Sequence, residues 1–440
     1  MSVIFIDCGA TMKSPFNTGI QRVVRNIVRE SHEVGNSLGH QCVPVRFINR
    51  NFQVIDLSAE IINPLPAHSV TNQFVRFAIK VDSVLKLWLP NKLHKMIRSK
   101  FAPFIRNFHS KYFLGAFGPT LKEFLTERMT ISQGQATPSP SVLLLLDSSW
   151  DVNMWDAVDE FRTLGGRVCG VLYDLIPFTH PHTVEDYTCN LHTTWWKQAP
   201  LHMDAIMCIS QTVRSDYLLW QEQQELAKRL TPEQVGYFYL GSELNTVFDV
   251  PQVVNIFLKN EPYYLVVGSI EPRKNHALIL DAFELLWLDE GSPNLVIVGG
   301  HGWKSESLNS RLKNHPLYNL KLFLFERTSD AELAYLYRNT AALIIASFAE
   351  GFGLPIVEAF QHGAKVICSD IPVFREIAFQ RAVFFDVSSS RDLADKVGQN
   401  LSHISPPSII NTTGPTKWLT WEESASQLFN RLFKCIETSR

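Results

Sequence analysis

The chain has 440 residues. A single hydrophobic core stops growing at roughly 250–300 residues, so two domains are implied. Hydrophobic residues at 45% and charged residues at 19% exclude a disordered or fibrous chain, and a formal net charge of −2 gives no global basis for nucleic-acid binding.

Short apolar runs alternate with longer helical patterns, which predicts parallel sheets with crossover helices. Val3–Asp7 reads as the first strand and Thr18–Arg29 as the helix after it. Gln41–Ile48, Ser141–Leu146, Arg167–Tyr173, Ala205–Ile209 and Gln234–Leu240 follow as strands. A linker is expected between Ser242 and Glu261, and the strand series restarts at Tyr263–Gly268. A helix over Ala277–Trp287 comes next, then strands at Asn294–Gly299, Leu320–Phe325, Ala341–Ala346, Lys365–Ser369 and Ala382–Phe385. Helices intervene at Asp330–Arg338 and Leu354–His362. After the turn-rich Ser405–Pro415, Trp421–Thr438 is helical. The fold class is α/β, with domains expected at 1–250 and 251–415 and a closing helix at 416–440.

The start, Met-Ser-Val-Ile-Phe-Ile-Asp, has neither the basic flank nor the long apolar core of a leader, so it reads as a strand. The longest purely aliphatic run is Val142–Leu146, against about 20 residues for a membrane span. Cys8, Cys42, Cys169, Cys189, Cys208, Cys368 and Cys435 form no C-x-x-C pair and read as reduced thiols of a cytoplasmic protein, without zinc. Between residues 74 and 122 stand ten Lys/Arg, opposed only by Asp82 and interleaved with aromatic and aliphatic residues. Two readings stay open: peripheral docking on an anionic membrane, or an amphipathic insertion with a solvated basic face.

The most informative stretch is Ser347-Phe348-Ala349-Glu350-Gly351-Phe352-Gly353-Leu354-Pro355-Ile356-Val357-Glu358-Ala359. It leaves a strand and opens a helix. The glycines permit close backbone approach, Pro355 suits a first helical turn, and free N–H groups there favour an anion. Upstream, Gly268-Ser269-Ile270-Glu271-Pro272-Arg273-Lys274-Asn275 sets two cations at another helix start, where an anion between them is a better explanation than a solvated pair.

These motifs resemble the retaining glycosyltransferases with Glu-x7-Glu, the glycosyl transferases group 1 family. The resemblance is strong over Tyr263–Ile377 and weaker in the N-terminal half. It implies two Rossmann-like domains facing each other across a cleft (GT-B), the first binding acceptor and the second a nucleotide sugar. Arg273 and Lys274 are then expected on the donor diphosphate, Glu350 on the sugar, and Glu358 on the ribose hydroxyls. Gly351, Phe352, Gly353 and Leu354 would line the sugar and phosphates, with Gly19 of Asn17-Thr18-Gly19 against the phosphates. Glu350, Arg273 and Lys274 are the catalytic candidates. Tyr173 stands where many relatives carry His, and Asp174 beside it either binds acceptor or caps a helix. His180 and His182 are further acceptor candidates. Ser210 reads as a helix cap, Asp370 and Glu376 as capping or packing residues, and Gly241 as the glycine before the linker. Glu326, in the loop that usually meets the base, replaces a glycine common in relatives, so the base stays open.

The reaction implied is hexosyl transfer with retention, from a nucleoside-diphosphate sugar to a glycan or lipid-linked glycan, in bacterial O-antigen or capsule synthesis. No cofactor or metal is expected, because two fixed cations take the role of Mg²⁺. Nucleic acid is not an expected partner. Location is expected in the cytoplasm, with possible membrane contact on its inner face. A phosphorylase-like enzyme would need a pyridoxal lysine, for which no motif is present. A non-catalytic nucleotide-sugar-binding protein of the same fold is the alternative.

Overall fold

The computed structural model describes residues 2–12, 14, 19–55, 118–131, 140–244, 262–289, 291–326, 328–402 and 418–437. The expected linker, the turn-rich stretch before the last helix and all but the end of the basic segment 74–122 lie largely outside the described residues. Two sheets emerge. The first contains β1 (Ser2–Asp7), β2 (His40–Ile48), β3 (Asn51–Val54), β4 (Val142–Leu145), β5 (Arg167–Leu172), β6 (Ala205–Cys208) and β7 (Val235–Tyr237), in the order β3-β2-β1-β4-β5-β6-β7. The second contains β8 (Tyr263–Val267), β9 (Asn294–Val298), β10 (Leu322–Phe325), β11 (Ala342–Ile345), β12 (Val366–Ser369) and β13 (Ala382–Phe385), in the order β10-β9-β8-β11-β12-β13. This is the α/β class that the strand–helix rhythm implies.

All of β1 is buried and pairs in parallel with β2 and β4, as expected of a strand covered on both faces. β3, which the sequence reading passes over, is antiparallel to β2. Asn49 and Arg50 join them with φ of 49° and 64°, the pattern of a two-residue hairpin turn. Helix Gly19–Ser37 runs past the expected Arg29 because Ser31, Val34 and Gly35 continue its buried face.

Contacts divide the chain into two compact units: Met1–Val171 with Ala199–Ile206 and Leu432–Arg440, and Leu172–Gln198 with Met207–Arg431. In the first, Phe5 meets the rings of Phe124 and Phe161 edge-on at 5.4 and 5.9 Å. There the buried Asp147 accepts bonds from the Thr11 backbone and hydroxyl at 2.6 and 2.8 Å, tying the loop after β1 to the end of β4. In the second, Ile279, Phe283, Leu295, Ile297, Ile344 and Ile367 belong to the core around β8–β12. The last helix, Trp421–Glu437, starts against Tyr239–Gly241. Trp418 donates to the Leu240 carbonyl at 3.0 Å, and a Cβ on Gly241 would lie 2.6 Å from the Trp421 nitrogen.

The seven cysteines are free; five are buried and Cys42 and Cys189 are partly so. No helix among the described residues is long and apolar enough to cross a membrane.

Candidate active site

The carboxyl ends of β8 and β11 carry the two motifs singled out in the sequence, both within the second unit. After β8 the chain turns at Gly268 (φ 145°), makes the short 3-10 helix Pro272–Lys274, passes Asn275 in the left-handed region (φ 53°), and enters helix His276–Leu286. After β11 it runs through Ser347–Gly353 into helix Leu354–Gln361. The Phe348 N–H donates to the Arg273 carbonyl at 3.0 Å, so the loops are joined backbone to backbone.

That join brings the charges together. Arg273 Nη1 lies 2.6 Å from Glu350 Oε2 and Lys274 Nζ 2.5 Å from Glu350 Oε1. Arg273 also donates to Glu271 Oε1 at 2.6 Å and to the Ala349 carbonyl at 2.8 Å. Ser347 donates its hydroxyl to Glu350 Oε1 at 2.8 Å. The side chains of Arg273, Lys274 and Glu350 keep only 14, 15 and 11% of their surface exposed, so screening by water is weak. Burial alone would push the Glu350 carboxyl up; Arg273 and Lys274 outweigh it and hold it at about 2. Burial opposes the charge on Arg273 as well, yet Glu350, Glu271 and Asp174 keep its pKa above the usual guanidinium range. Asp174 joins the cluster electrostatically, and burial pushes its carboxyl up although Arg273 pulls the other way. Its Oδ1 accepts the Ile176 N–H at 3.0 Å, closing the turn before helix Ile176–Thr179.

Gly351 is a glycine by necessity. A Cβ there would stand 2.0 Å from the Tyr173 carbonyl oxygen, and the Gly351 carbonyl accepts the Ser210 hydroxyl at 2.8 Å. Ser210 also caps helix Gln211–Gln223 by accepting the Val213 N–H at 3.1 Å, as its sequence position predicts. Glu376 adds to that cap, accepting the backbone N–H groups of Gln211 and Thr212 at 2.7 Å each. Asp370 pairs with Arg375. Phe352 is buried with its ring 5.9 Å from that of Trp418. Gly353 (φ 102°) precedes Leu354, the first residue of a helix that no side chain caps. Pro355 has no N–H and the Ile356 N–H donates to the Gly353 carbonyl at 2.9 Å, so the Leu354 N–H is the one this end offers.

Glu358 is fully buried one turn into that helix and accepts the Tyr337 hydroxyl at 2.8 Å. Tyr173 is buried. Gly19 belongs to the first unit, where it is exposed at the first residue of its helix. His180 bonds its neighbour Thr179 at 2.9 Å, and the carbonyls of His182, Thr183 and Val184 accept from Lys304 and Trp303.

Two groups escape the sequence reading. Glu271, buried beside Arg273, lies inside the quoted motif but looks like an ordinary residue before proline. Tyr337, on helix Asp330–Asn339, carries no local signal of its contact with Glu358. His276 is also buried, and burial, with the Lys274 charge, lowers its pKa to about 3. Among the described residues no cluster of three or more His, Cys, Asp and Glu could hold a metal ion.

The second sheet is parallel in every pairing described, with both motif loops at its carboxyl edge, an α/β architecture. Residues 252–405 match the family model "Glycosyl transferases group 1". The match falls on the stretch whose motifs resemble the same family. It is 36% identical over 282 residues to the serotype-specific mannosyltransferase WbdA of Escherichia coli, covering 62% of this chain and 34% of WbdA. It is 39% identical over 127 residues to the O-antigen chain mannosyltransferase RfbU of Salmonella typhimurium, covering 29% of this chain and 35% of RfbU. The chain thus spans about a third of the length of the curated relatives it matches. Among solved structures, Anabaena HepE in complex with UDP-glucose superposes with a TM-score of 0.55 at 12% identity, covering 100% of this chain and 97% of HepE. The fold is the two-sheet GT-B architecture.

Proposed function

We propose that this chain is a retaining, metal-independent glycosyltransferase. It moves a hexosyl group, mannosyl by analogy with WbdA and RfbU, from a nucleoside-diphosphate sugar to a hydroxyl of a glycan or lipid-linked glycan. The setting is bacterial surface polysaccharide synthesis. The observation that carries this reading is the convergence of Arg273 and Lys274 on Glu350 at 2.6 and 2.5 Å beside an uncapped helix start.

The chemistry follows from the geometry. As the anomeric carbon–oxygen bond breaks, negative charge builds on the departing diphosphate. Glu350 fixes one proton of the Lys274 ammonium and leaves two for phosphate oxygens; the Arg273 guanidinium is held beside it. Cations fixed before reaction stabilise that charge without reorganising, the service a divalent ion otherwise supplies. The Leu354 N–H, at a helix start with no side-chain cap, adds to it. In a front-face reaction the acceptor oxygen bonds to the anomeric carbon on the side the diphosphate leaves. The acceptor proton passes to a departing phosphate oxygen, and configuration is retained. Glu350 orients cations and sugar rather than attacking, because both of its oxygens are committed to Arg273, Lys274 and Ser347. Glu358 holds the ribose hydroxyls, and Asp174 meets the acceptor side of the same charged cluster.

The basic stretch 74–122 is assigned to salt-sensitive contact with an anionic membrane on its cytoplasmic face. Sedimentation with anionic vesicles at low salt tests it: equal recovery in the supernatant with and without vesicles removes the assignment. The catalytic reading is tested by assaying transfer and donor hydrolysis with GDP-, UDP-, ADP- and dTDP-sugars, with and without EDTA, and reading the product anomer by NMR. Turnover that survives EDTA and yields the donor's anomeric configuration is expected. Nucleotide binding without turnover overturns the enzyme; an inverted product overturns retention.

A further inference from the structure

The charged cluster holds a second buried carboxylate, Glu271, whose place is dictated locally. A residue before proline is driven out of the helical region, and Glu271 is extended at φ −145° and ψ 156°. Its neighbour Ile270 is pinned to the loop after β9. The Ile270 N–H donates to the Gly300 carbonyl at 2.9 Å, and the Gly302 N–H to the Ile270 carbonyl at 3.0 Å. A Cβ on Gly302 would stand 3.0 Å from the Glu271 Cβ and 2.7 Å from the Ile270 oxygen, so bare backbone closes over the acid. Its side chain is left 1% exposed.

Only one of its oxygens is used. Oε1 accepts from Arg273 Nη2 at 2.6 Å, whereas Oε2 is buried and accepts no hydrogen bond among the described residues. A carboxylate that serves packing has both oxygens satisfied, because a buried one without a partner keeps its full desolvation cost. Glu271 is held in place for Arg273.

What it takes from Arg273 can be counted. Both N–H groups of Nη1 are spent, on Glu350 Oε2 and the Ala349 carbonyl, and one of Nη2 is spent on Glu271. The second Nη2 N–H and the Nε–H are left for a phosphate. Charge points the same way. Arg273 and Lys274 are matched by Glu271 and Glu350, so these four groups offer fixed donors without surplus charge. A sugar diphosphate carries about two negative charges near neutral pH. The diphosphate it releases carries close to three, since a terminal phosphate ionises again near about pH 6. A carboxylate behind the binding cation therefore weighs more on the product than on the donor.

We propose that Glu271 is a positioning residue that limits the grip of Arg273 on the released nucleoside diphosphate. It withholds one Nη2 N–H and offsets the guanidinium charge, so the product leaves, while the N–H groups that remain keep one direction for the transition state. This rests on the nucleotide-sugar reading above. Glu271 acts through Arg273, and a role in packing alone predicts effects of the opposite sign.

Calorimetric titration with inorganic pyrophosphate, GDP, UDP, ADP and dTDP tests it on the full chain and on Glu271→Gln, Glu271→Met and Glu271→Asp, with donor kcat and KM measured beside it. One charge removed at a guanidinium's width from an anion changes affinity by roughly tenfold or more at the dielectric of a protein site. Glu271→Gln and Glu271→Met are expected to bind pyrophosphate, and whichever nucleotide the wild type binds, about tenfold more tightly. Their donor KM is expected to fall by less, and kcat to fall several-fold as release becomes limiting. Glu271→Asp, which keeps the charge, is expected to lie between them and the wild type. Pyrophosphate bound equally or more weakly by a folded neutral variant, or failure of both neutral variants to fold, assigns Glu271 to the fold and overturns the proposal while the glycosyltransferase reading stands. Failure of pyrophosphate and all four nucleotides to bind the wild type overturns the nucleotide reading itself.

Discussion

The carbonyl oxygen of Tyr173 occupies the place where a side chain on residue 351 would begin, 2.0 Å from an ideal Cβ. Tyr173 precedes Asp174 and Gly351 follows Glu350, so this approach sets two acids of the charged cluster side by side. Gly351→Ala is expected to force the backbone apart by more than a side-chain adjustment can absorb, costing about 1–3 kcal/mol of stability. It is expected to lower kcat/KM by at least about a hundredfold, since small misplacements of catalytic groups are that costly. Gly398→Ala is the control: nothing lies within 4 Å of its Cβ, and it sits inside helix Ser390–Ser402, where alanine is the better residue. Thermal unfolding and steady-state kinetics on both variants check this. Equal behaviour of the two would show that the Tyr173–Gly351 approach does not constrain the site.

Glu350 is the common partner of two cations, and its removal has a signature that distinguishes charge from shape. Glu350→Gln keeps the volume but leaves Arg273 and Lys274 facing each other with Glu271 as the remaining paired carboxylate. Breaking a buried pair from one side costs about 3–5 kcal/mol. A large fall in Tm is expected, together with loss of transfer. Inorganic pyrophosphate is expected to restore more Tm to the variant than it adds to the wild type, because an anion then replaces the missing carboxylate and binding to the native state stabilises it by mass action. A pyrophosphate shift no larger in Glu350→Gln than in the wild type would argue that the cations do not face a ligand.

The acid limit of stability is set in part by His276. Its ring is buried neutral, with a folded-state pKa of about 3 that lies below the ordinary histidine value. The unfolded chain therefore binds the proton first. Stability from the neutral ring is complete above about pH 6.5 and falls as pH drops toward 3, by up to about 1.4 kcal/mol per pH unit. Glu350 acts in the same direction lower down, its contribution present above the ordinary carboxylate range and lost as pH approaches 2. His276→Leu is expected to flatten the pH dependence of urea unfolding between pH 6 and 4 — a range set by the shift just given. An unchanged slope in the variant would mean that His276 titrates normally in the native state.

Local pattern carried the strands and the charged motifs, and it failed where partners are distant in sequence. β1 and the β8–β13 series are legible because their apolar runs are short and uniform, and most end at glycine or acid. Arg273, Lys274 and Glu350 are legible because each sits at a strand-to-helix turn, where a cation or carboxylate needs a reason. Ser210 reads as a capping residue for the same cause and does cap, while Glu376, read as capping or packing, caps a helix distant from its own in sequence. β3 is hidden by its turn: Asn-Arg instead of Asn-Gly gives little sign of a hairpin. The Asp147–Thr11 link joins residues far apart along the chain, and no periodicity reports it. Glu271 is hidden differently, since a glutamate before proline looks like a solvated turn until Arg273 folds back on it. Glu358 reads as a ligand contact from its spacing, and its burial against Tyr337 comes from a helix whose own pattern points only to the core.

That last contact gives the sharpest test of the second motif glutamate. A carboxylate wholly buried against a tyrosine hydroxyl could serve packing alone, or could be held there to meet ribose hydroxyls when nucleotide binds. The two roles separate by choice of ligand. Glu358→Gln keeps an oxygen to accept from Tyr337 but exchanges the other for a donor and removes the charge. If the carboxylate meets ribose, binding of a nucleoside diphosphate weakens by roughly tenfold, the scale of a hydrogen bond to a charged group, while a 2′,3′-dideoxy diphosphate is bound equally by both proteins. Tyr337→Phe is expected to lower stability by about 1 kcal/mol through the lost hydrogen bond, read as a fall in Tm, with a smaller effect on nucleotide affinity. If Glu358→Gln weakens the ordinary and the dideoxy nucleotide alike, the glutamate acts through the fold and the ribose contact must be sought elsewhere.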